Sequence, residues 1–377
     1  MPAPGSVVRL TLTDFRNYVR LRLVVEGRPV VLTGPNGAGK TNLIEAISFL
    51  TPGRGLRRAR LSEVTRHGAA PGSGWAVAAT LTTSAGPSEV GTGLKPGAER
   101  RTIRIGGLSG RSQAALAEVA TAVWLTPAMD RLFVETASAR RRFLDRLVFA
   151  FDPAHAVRVS AYEHALRERS RLLREGRFDP AWLAALENTM AEHGVAVVAA
   201  RQEMVTWLAR ACGEVTGPFP RAVPSLAGTV EGWLATMPAV EVEQRLRQVL
   251  RAGRRFDAQS GGAIEGPHRS DLVVWHAARN LPAAQCSTGE QKALLIALVL
   301  AQARTQAMVR GFAPMLLLDE VVAHLDETRR RALFDAVCAV GTQAWLTGTD
   351  QELFAGFGTR AQFLRIEEGD IVQKIPV

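Results

Sequence analysis

The stretch GPNGAGKT at residues 34–41 constrains this chain more than any other. It matches G-x-x-x-x-G-K-[ST], follows the apolar run VVLT (30–33) and opens the helix-patterned KTNLIEAISFL (40–50). Strand, glycine loop and helix in that order make a phosphate loop. The glycines let backbone N–H groups converge on phosphate oxygens, and the helix start adds its dipole. Gly34, Pro35, Asn36, Gly37, Ala38, Gly39, Lys40 and Thr41 are therefore the candidate nucleotide contacts. Lys40 would reach the terminal phosphates and serve catalysis, and Thr41 would ligate Mg2+. ATP and Mg2+ are the cofactors this implies.

A second half-site stands far downstream. In MLLLDE (315–320) a buried-strand pattern ends in two carboxylates. Asp319 would hold the metal and Glu320 would polarise the attacking water as general base. Further upstream, CSTGEQK (286–292) sets a small polar cluster before a strongly apolar helical run, the pattern of an anion-binding helix start. Arginine outnumbers lysine 42 to 4, so a retained lysine is informative, and two of the four, Lys40 and Lys292, fall in these two candidate loops.

Charge divides the chain into three. Residues 1–150 hold 21 Lys and Arg against 10 Asp and Glu, residues 151–260 hold 14 against 13, and residues 261–377 hold 11 against 13. A basic excess confined to the first segment points to a polyanion such as nucleic acid. Arg54, Arg57, Arg58 and Arg60 in the loop GRGLRRAR, with Arg140 and Arg141 at a helix start, are the candidate DNA contacts. Arg16 in DFRNY would approach the nucleotide phosphates, and His268 in a Gly-Pro turn is a weaker candidate for the same site. Alternation over 75–106 predicts an antiparallel sheet. Ala, Leu, Arg and Glu at helical spacing over 140–255 predict a helical lobe, with Asp179-Pro180 as a helix start. The expected domains are 1–139 and 261–377 as two parts of one α/β head, and 140–260 as the helical lobe. Cys212, Cys286 and Cys338 are far apart, which argues against a disulfide framework and fits a reducing, cytoplasmic setting. The N-terminus reads as having no signal peptide, and apolar runs such as 293–301 fall short of the ~20 residues that span a bilayer.

The pattern S-x-G-[QE] at Ser287, Gly289 and Glu290 resembles the signature of ABC-type ATPases, and AHLD (323–326) resembles their D-loop, with Asp326 as its acid. Across its whole length the chain resembles the RecF family of bacterial recombination mediators. The resemblance rests on LTDFRNY, GPNGAGKTNLIEAI, GRGLRRAR, SARRRFLDRLV, GPHRSDL, CSTGEQKALLIALVLA and LLLDEVVAHLD. It implies an ABC-type head, a RecA-like core plus an antiparallel β subdomain, carrying an inserted helical lobe. It further implies an ATP-dependent homodimer in which Ser287 and Gly289 of one chain, with Asp326, complete the ATP site of the other. Slow, DNA-stimulated hydrolysis and binding to duplex and gap or junction DNA in repair and replication are implied too. So are RecR and RecO as partners, RecA indirectly, and no membrane. The chain departs from the pattern at Ala323, where Ser is commoner, and at WLTPAMDRL (124–132), which obscures any glutamine loop. Thr347 stands where transporter ATPases carry a switch histidine. A transporter subunit or a chromosome-structuring ATPase is the alternative; the first would need that histidine and the second a far longer coiled coil. A small-molecule P-loop kinase would need no signature helix.

Overall fold

The computed structural model describes residues 3–176, 179–214, 217–323 and 325–375. The chain forms two compact units. The first comprises Met1–Asp130, Thr216–Phe219 and Leu295–Val377; the second comprises Arg131–Val215 and Pro220–Leu294.

The first unit contains two six-stranded sheets. Strands β1 (Val7–Phe15), β2 (Tyr18–Val24), β4 (Trp75–Thr83), β5 (Gly86–Leu94), β6 (Thr102–Ile105) and β7 (Leu108–Ser109) form an antiparallel sheet in the order β2-β1-β4-β5-β6-β7. Its strands alternate buried and exposed, as in YVRLRLV of β2, because one face is packed and the other meets solvent. The other sheet runs β15-β14-β3-β13-β12-β8. It is built from β3 (Val30–Thr33), β8 (Ala122–Leu125), β12 (Met315–Leu318), β13 (Ala344–Gly348), β14 (Gln362–Glu367) and β15 (Asp370–Ile375). Its five neighbours from β8 to β14 are parallel, and β15 is antiparallel to β14. The central strands β3, β12 and β13 are buried at every position, the near-continuous apolar run expected of parallel strands covered on both faces.

Helix α1 (Lys40–Ser48) joins the two sheets in one core: Leu43, Ile44 and Ile47 cluster with Leu10, Leu12 and Leu23 of one sheet and with Leu32, Leu317 and Trp345 of the other. Gln343 ties them directly. Its amide accepts from Val7 N–H and donates to Val7 C=O, both at 2.9 Å. Helix α2 (Gln113–Val119) precedes β8, and α10 (Glu327–Val340) lies between β12 and β13.

The second unit holds α3 (Ala137–Phe149), α4 (His155–Arg174), α5 (Pro180–Gly213), α6 (Thr229–Leu234), α7 (Ala239–Ala252) and α8 (Arg254–Ser260). Asp179 caps α5 as its sequence suggests, its carboxylate accepting from Ala181 and Trp182 N–H, with Pro180 in the first turn. At 34 residues α5 spans about 50 Å. It contributes Met190, Ala191, Val195 and Val198 to an apolar core with Tyr162, Val242 and Leu246. Arg169, fully buried, is matched there by Glu187 and Asp257 and by the Leu250 carbonyl.

The helical lobe does not end at residue 260 as the composition suggests. Strands β9 (Ala222–Ala227), β10 (Asp271–His276) and β11 (Leu281–Pro282) form a three-stranded antiparallel sheet within the second unit. Pairing of β10 with β9 draws residues 261–294 into it. The six residues AVPSLA of β9, with a proline inside, carry too little periodicity to reveal a strand in an otherwise helical segment. The lobe also starts earlier, at Arg131. Helix α9 (Thr288–Arg310) opens in the second unit and continues in the first; it is long and apolar enough to cross a membrane, but 78% of its most apolar window is buried in the protein.

Candidate nucleotide site and basic surfaces

The phosphate loop lies at the C-terminal end of β3, the end at which parallel α/β sheets place their ligands. Gly34, Gly37 and Gly39 all have positive φ, 144°, 83° and 116°. At Gly34 a Cβ would stand 2.1 Å from the Ile366 carbonyl oxygen, so no side chain fits. The loop is braced from outside: Tyr18 hydroxyl donates to Gly39 C=O at 3.0 Å, and Asn17 amide to Ala38 C=O at 3.2 Å. Lys40 folds over the loop and donates to the carbonyls of Gly34 (2.7 Å) and Pro35 (2.8 Å). Burial pushes its pKa down, while Glu320 and Asp319 pull it back up. The ammonium is thus held beside the loop by bonds that a phosphate oxygen can replace.

The two carboxylates arrive from β12, whose neighbours β13 and β8 hold it in parallel register. Asp319 N–H donates to Leu125 C=O at 2.8 Å, which fixes the strand end. Asp319 Oδ1 accepts from the Thr41 hydroxyl at 2.9 Å and the Thr347 hydroxyl at 2.7 Å. Glu320 N–H in turn donates to Thr347 Oγ1 at 2.9 Å, and Glu320 has a positive φ of 50°. The loop, Thr41, Asp319 and Glu320, nearly 280 residues apart in sequence, are therefore brought together as their motifs require. A hydroxyl and a carboxylate converging within 2.9 Å are hard oxygen donors suited to Mg2+ completed by phosphates and water.

Beside the loop a cavity of about 860 Å3 is lined by Gly34, Pro35, Asp350, Glu352, Arg365 and Glu367. Three carboxylates against one arginine give this cavity a negative lining, which disfavours a triphosphate.

The signature segment lies in the second unit. Ser287 donates both its N–H (3.0 Å) and its hydroxyl (2.9 Å) to Glu290 Oε2, and Glu290 Oε1 pairs with Arg279 at 2.7 Å. Glu290 N–H returns to Ser287 Oγ at 3.4 Å, so the segment is a capping box that starts α9. Ser287 is exposed, and nothing lies within 4 Å of a Cβ built on Gly289. Lys292, by contrast, is buried. Asp326 caps α10, accepting from Arg329 N–H at 2.8 Å; its neighbour His324 lies outside the described residues.

The structure redistributes the arginines. Arg16 gives both Nε and Nη2 to Glu45, at 2.9 and 2.8 Å, and Nη1 to Glu63 C=O. Arg57 shares that same fully buried carboxylate at 2.8 Å and also bonds Asn42. Both are anchored to α1 rather than left as loose cations. Arg54, Arg58 and Arg60 remain exposed. The expectation that Arg140 and Arg141 meet DNA is not supported by their geometry. Arg140 makes a bidentate pair with Asp271, both bonds 2.7 Å, and Arg141 donates to Ser270 C=O at 2.8 Å. A cation in the first turn of α3 opposes the helix dipole, and Asp271 of β10 compensates it. His268 is likewise structural: Nε2–H donates to Ala263 C=O at 2.8 Å and Nδ1 accepts from Tyr162 at 2.6 Å.

The basic residues that sequence reasoning passed over stand on the solvent face of the antiparallel sheet. Thr13 is paired with Arg20, Thr11 with Arg22 and Arg9 with Val24; across the sheet Gly91 is paired with Arg104. Arg9, Arg20, Arg22 and Arg104 are exposed and make no ion pair among the described residues. Between them the face carries Thr11, Thr13, Ala76, Ala78, Gly91 and Gly93, which are too small to screen a large ligand. The signal was present in the alternation R-L-R-L at 20–23.

The RecF/RecN/SMC N terminal domain family matches residues 6–367. The DNA replication and repair protein RecF of Rhizobium johnstonii is 49% identical over 99% of this chain and 100% of its own. That of Allorhizobium ampelinum is 52% identical over 96% and 97%. Among solved structures, the recombination mediator protein RecF-ATPrS of the RecFOR pathway superposes with a TM-score of 0.83, at 20% identity, covering 99% of this chain and all of that one. The Smc head of Pyrococcus furiosus bound to a ScpA domain gives 0.54 at 15% identity, covering 97% and 94%. These two likenesses establish a shared ABC-type head fold.

Proposed function

The chain belongs to the RecF family of DNA replication and repair ATPases, and from that membership we propose that it is a recombination mediator whose hold on DNA is timed by ATP. The observation that carries this reading is the convergence of Lys40, Thr41, Asp319 and Glu320 in one unit while the exposed Ser287 box stands in the other. Phosphates of ATP replace the Gly34 and Pro35 carbonyls as partners of Lys40. Thr41 and Asp319 would hold Mg2+, which supplies charge neutralisation at the β- and γ-phosphates. Ser287 and Gly289 of a second copy, with its Asp326, close over the γ-phosphate, so that two ATP molecules join two chains. For this Ser287 must exchange Glu290 for phosphate. Glu320 then orients the attacking water and takes its proton, and hydrolysis releases the dimer. Turnover is slow because a histidine is absent at Thr347 and because ATP serves as a timer.

DNA lies on the basic sheet face of Arg9, Arg20, Arg22 and Arg104, with Arg54, Arg58 and Arg60 as further contacts. Small side chains between the arginines let a phosphate backbone approach closely. Gap and junction DNA, RecR and RecO as partners, RecA indirectly and a cytoplasmic location belong to the same reading, which the likeness to a recombination mediator RecF of the RecFOR pathway supports. The test is light scattering with and without ATP, beside DNA binding by Glu320→Gln. ATP-dependent dimers, lost in Ser287→Arg, and a Glu320→Gln dimer trapped on DNA are expected. Dimerisation that survives Ser287→Arg would sink the sandwich, and DNA affinity flat with salt would sink the basic-face assignment.

A further inference from the structure

Thr347 is completely buried, and it is the one hydroxyl on β13, whose other residues are Ala344, Trp345, Leu346 and Gly348. A valine would fill the same space in so apolar a strand. The hydroxyl instead makes two bonds at once. It donates to Asp319 Oδ1 at 2.7 Å and accepts the Glu320 N–H at 2.9 Å. The register that pairs Leu318 with Leu346 sets Thr347 beside this turn. Glu320 occupies left-handed backbone space, which a residue with a side chain keeps only where its surroundings over-determine it. The bond to Thr347 is one such restraint. Asp319 Oδ1 has a second hydroxyl donor, Thr41, but Thr41 is the residue that must turn to a metal. Thr347 is then the hydroxyl left to orient Asp319.

We propose that Thr347 is a positioning residue for ATP hydrolysis, a single hydroxyl that sets the Asp319 carboxylate and the Glu320 backbone relative to each other. The proposal rests on the roles given above to Asp319 and Glu320. It also gives the position a function that differs from the switch histidine: the side chain holds the Asp319 carboxylate and the Glu320 backbone from behind, without contact to the γ-phosphate.

The test uses the full chain with Thr347→Val, which keeps shape and removes the hydroxyl, Thr347→Ser, which keeps the hydroxyl, and Glu320→Gln. In Thr347→Val, kcat falls about 10–100-fold, as is usual for groups that orient metal-site ligands. KM for ATP stays within about twofold, because the lost bonds are to the Asp319 carboxylate and the Glu320 backbone and not to bound nucleotide. ATP binding measured in EDTA is unchanged, and Thr347→Ser restores kcat. A wild-type kcat in Thr347→Val, a Ser variant as slow as Val, or a raised KM at constant kcat overturns the proposal. If Thr347→Val does not fold, Thr347→Ala takes its place. Unfolding of both with a folded Ser variant makes the hydroxyl structural and also overturns it. Hydrolysis persisting in Glu320→Gln is a separate failure, that of the carboxylate assignment.

Discussion

His268 ties the stability of the second unit to pH. Its imidazole lies largely buried in GPHRSDL, where burial, and after it the charges of Arg269, Arg141 and Arg201, push its pKa down to about 4, against a lift from the Ala263 carbonyl. Gly266 makes the site possible: its φ is 134°, and a Cβ there would stand 2.3 Å from the Tyr162 hydroxyl that bonds the ring. The unfolded chain binds a proton near 6.5 that the folded chain refuses until about 4. Stability from the neutral ring is therefore complete above about pH 6.5 and is lost as pH falls toward 4. Integrated from pH 7 to 5, the loss is about 2 kcal/mol, which corresponds to roughly 4–8 °C in Tm for a unit of this size. Asp145 is held below its ordinary range: burial pushes its pKa up, but bonds to His155 and Arg201 outweigh that, so its own loss falls below this window. Glu231, raised by burial, contributes stability that fades as pH rises, the opposite slope. The readout is accordingly a difference. Urea unfolding at pH 7 and pH 5 is compared between the wild type and His268→Gln, whose neutral amide can donate to Ala263 and accept from Tyr162. The variant should lose about 2 kcal/mol less between the two pH values. Equal losses would refute the buried neutral ring as their source.

The other expectations concern charge. Glu45→Gln should cost about 2–3 kcal/mol by denaturant unfolding, below the usual range for a broken buried pair because Arg57 is 40% exposed. An unchanged midpoint would show that Arg16 and Arg57 do not depend on it. Arg9→Ala and Arg22→Ala should each flatten the plot of log affinity for DNA against log salt by about one unit; unchanged slopes would remove the sheet face from the interface. Arg140→Ala should leave DNA affinity alone and lower stability by about 1–2 kcal/mol through the orphaned Asp271. Weaker DNA binding without loss of stability would restore it as a contact.

The order of strands in the two sheets was not legible in the local sequence, which determined the phosphate loop, the carboxylate pair and the helix starts at Asp179 and Ser287. Each of these is a short-range pattern: glycines at fixed spacing, a four-residue apolar run, a capping residue before a helix. Together the motifs resembled the family that the comparisons show. What the sequence left open were partnerships made across hundreds of residues. Whether DNA phosphate or a carboxylate compensates Arg140 is open until β10 brings Asp271 to it, and the partner of Arg16 is open until α1 presents Glu45. The strand β9 is recognisable only through its pairing with β10, which moves residues 261–294 into the second unit. Thr347 reads as a missing histidine until parallel pairing of β12 and β13 sets its hydroxyl against Asp319 and Glu320. A side chain's charge is written in the chain, but whether that charge is spent on a buried partner or left on a solvent face depends on which distant strands and helices fold against it.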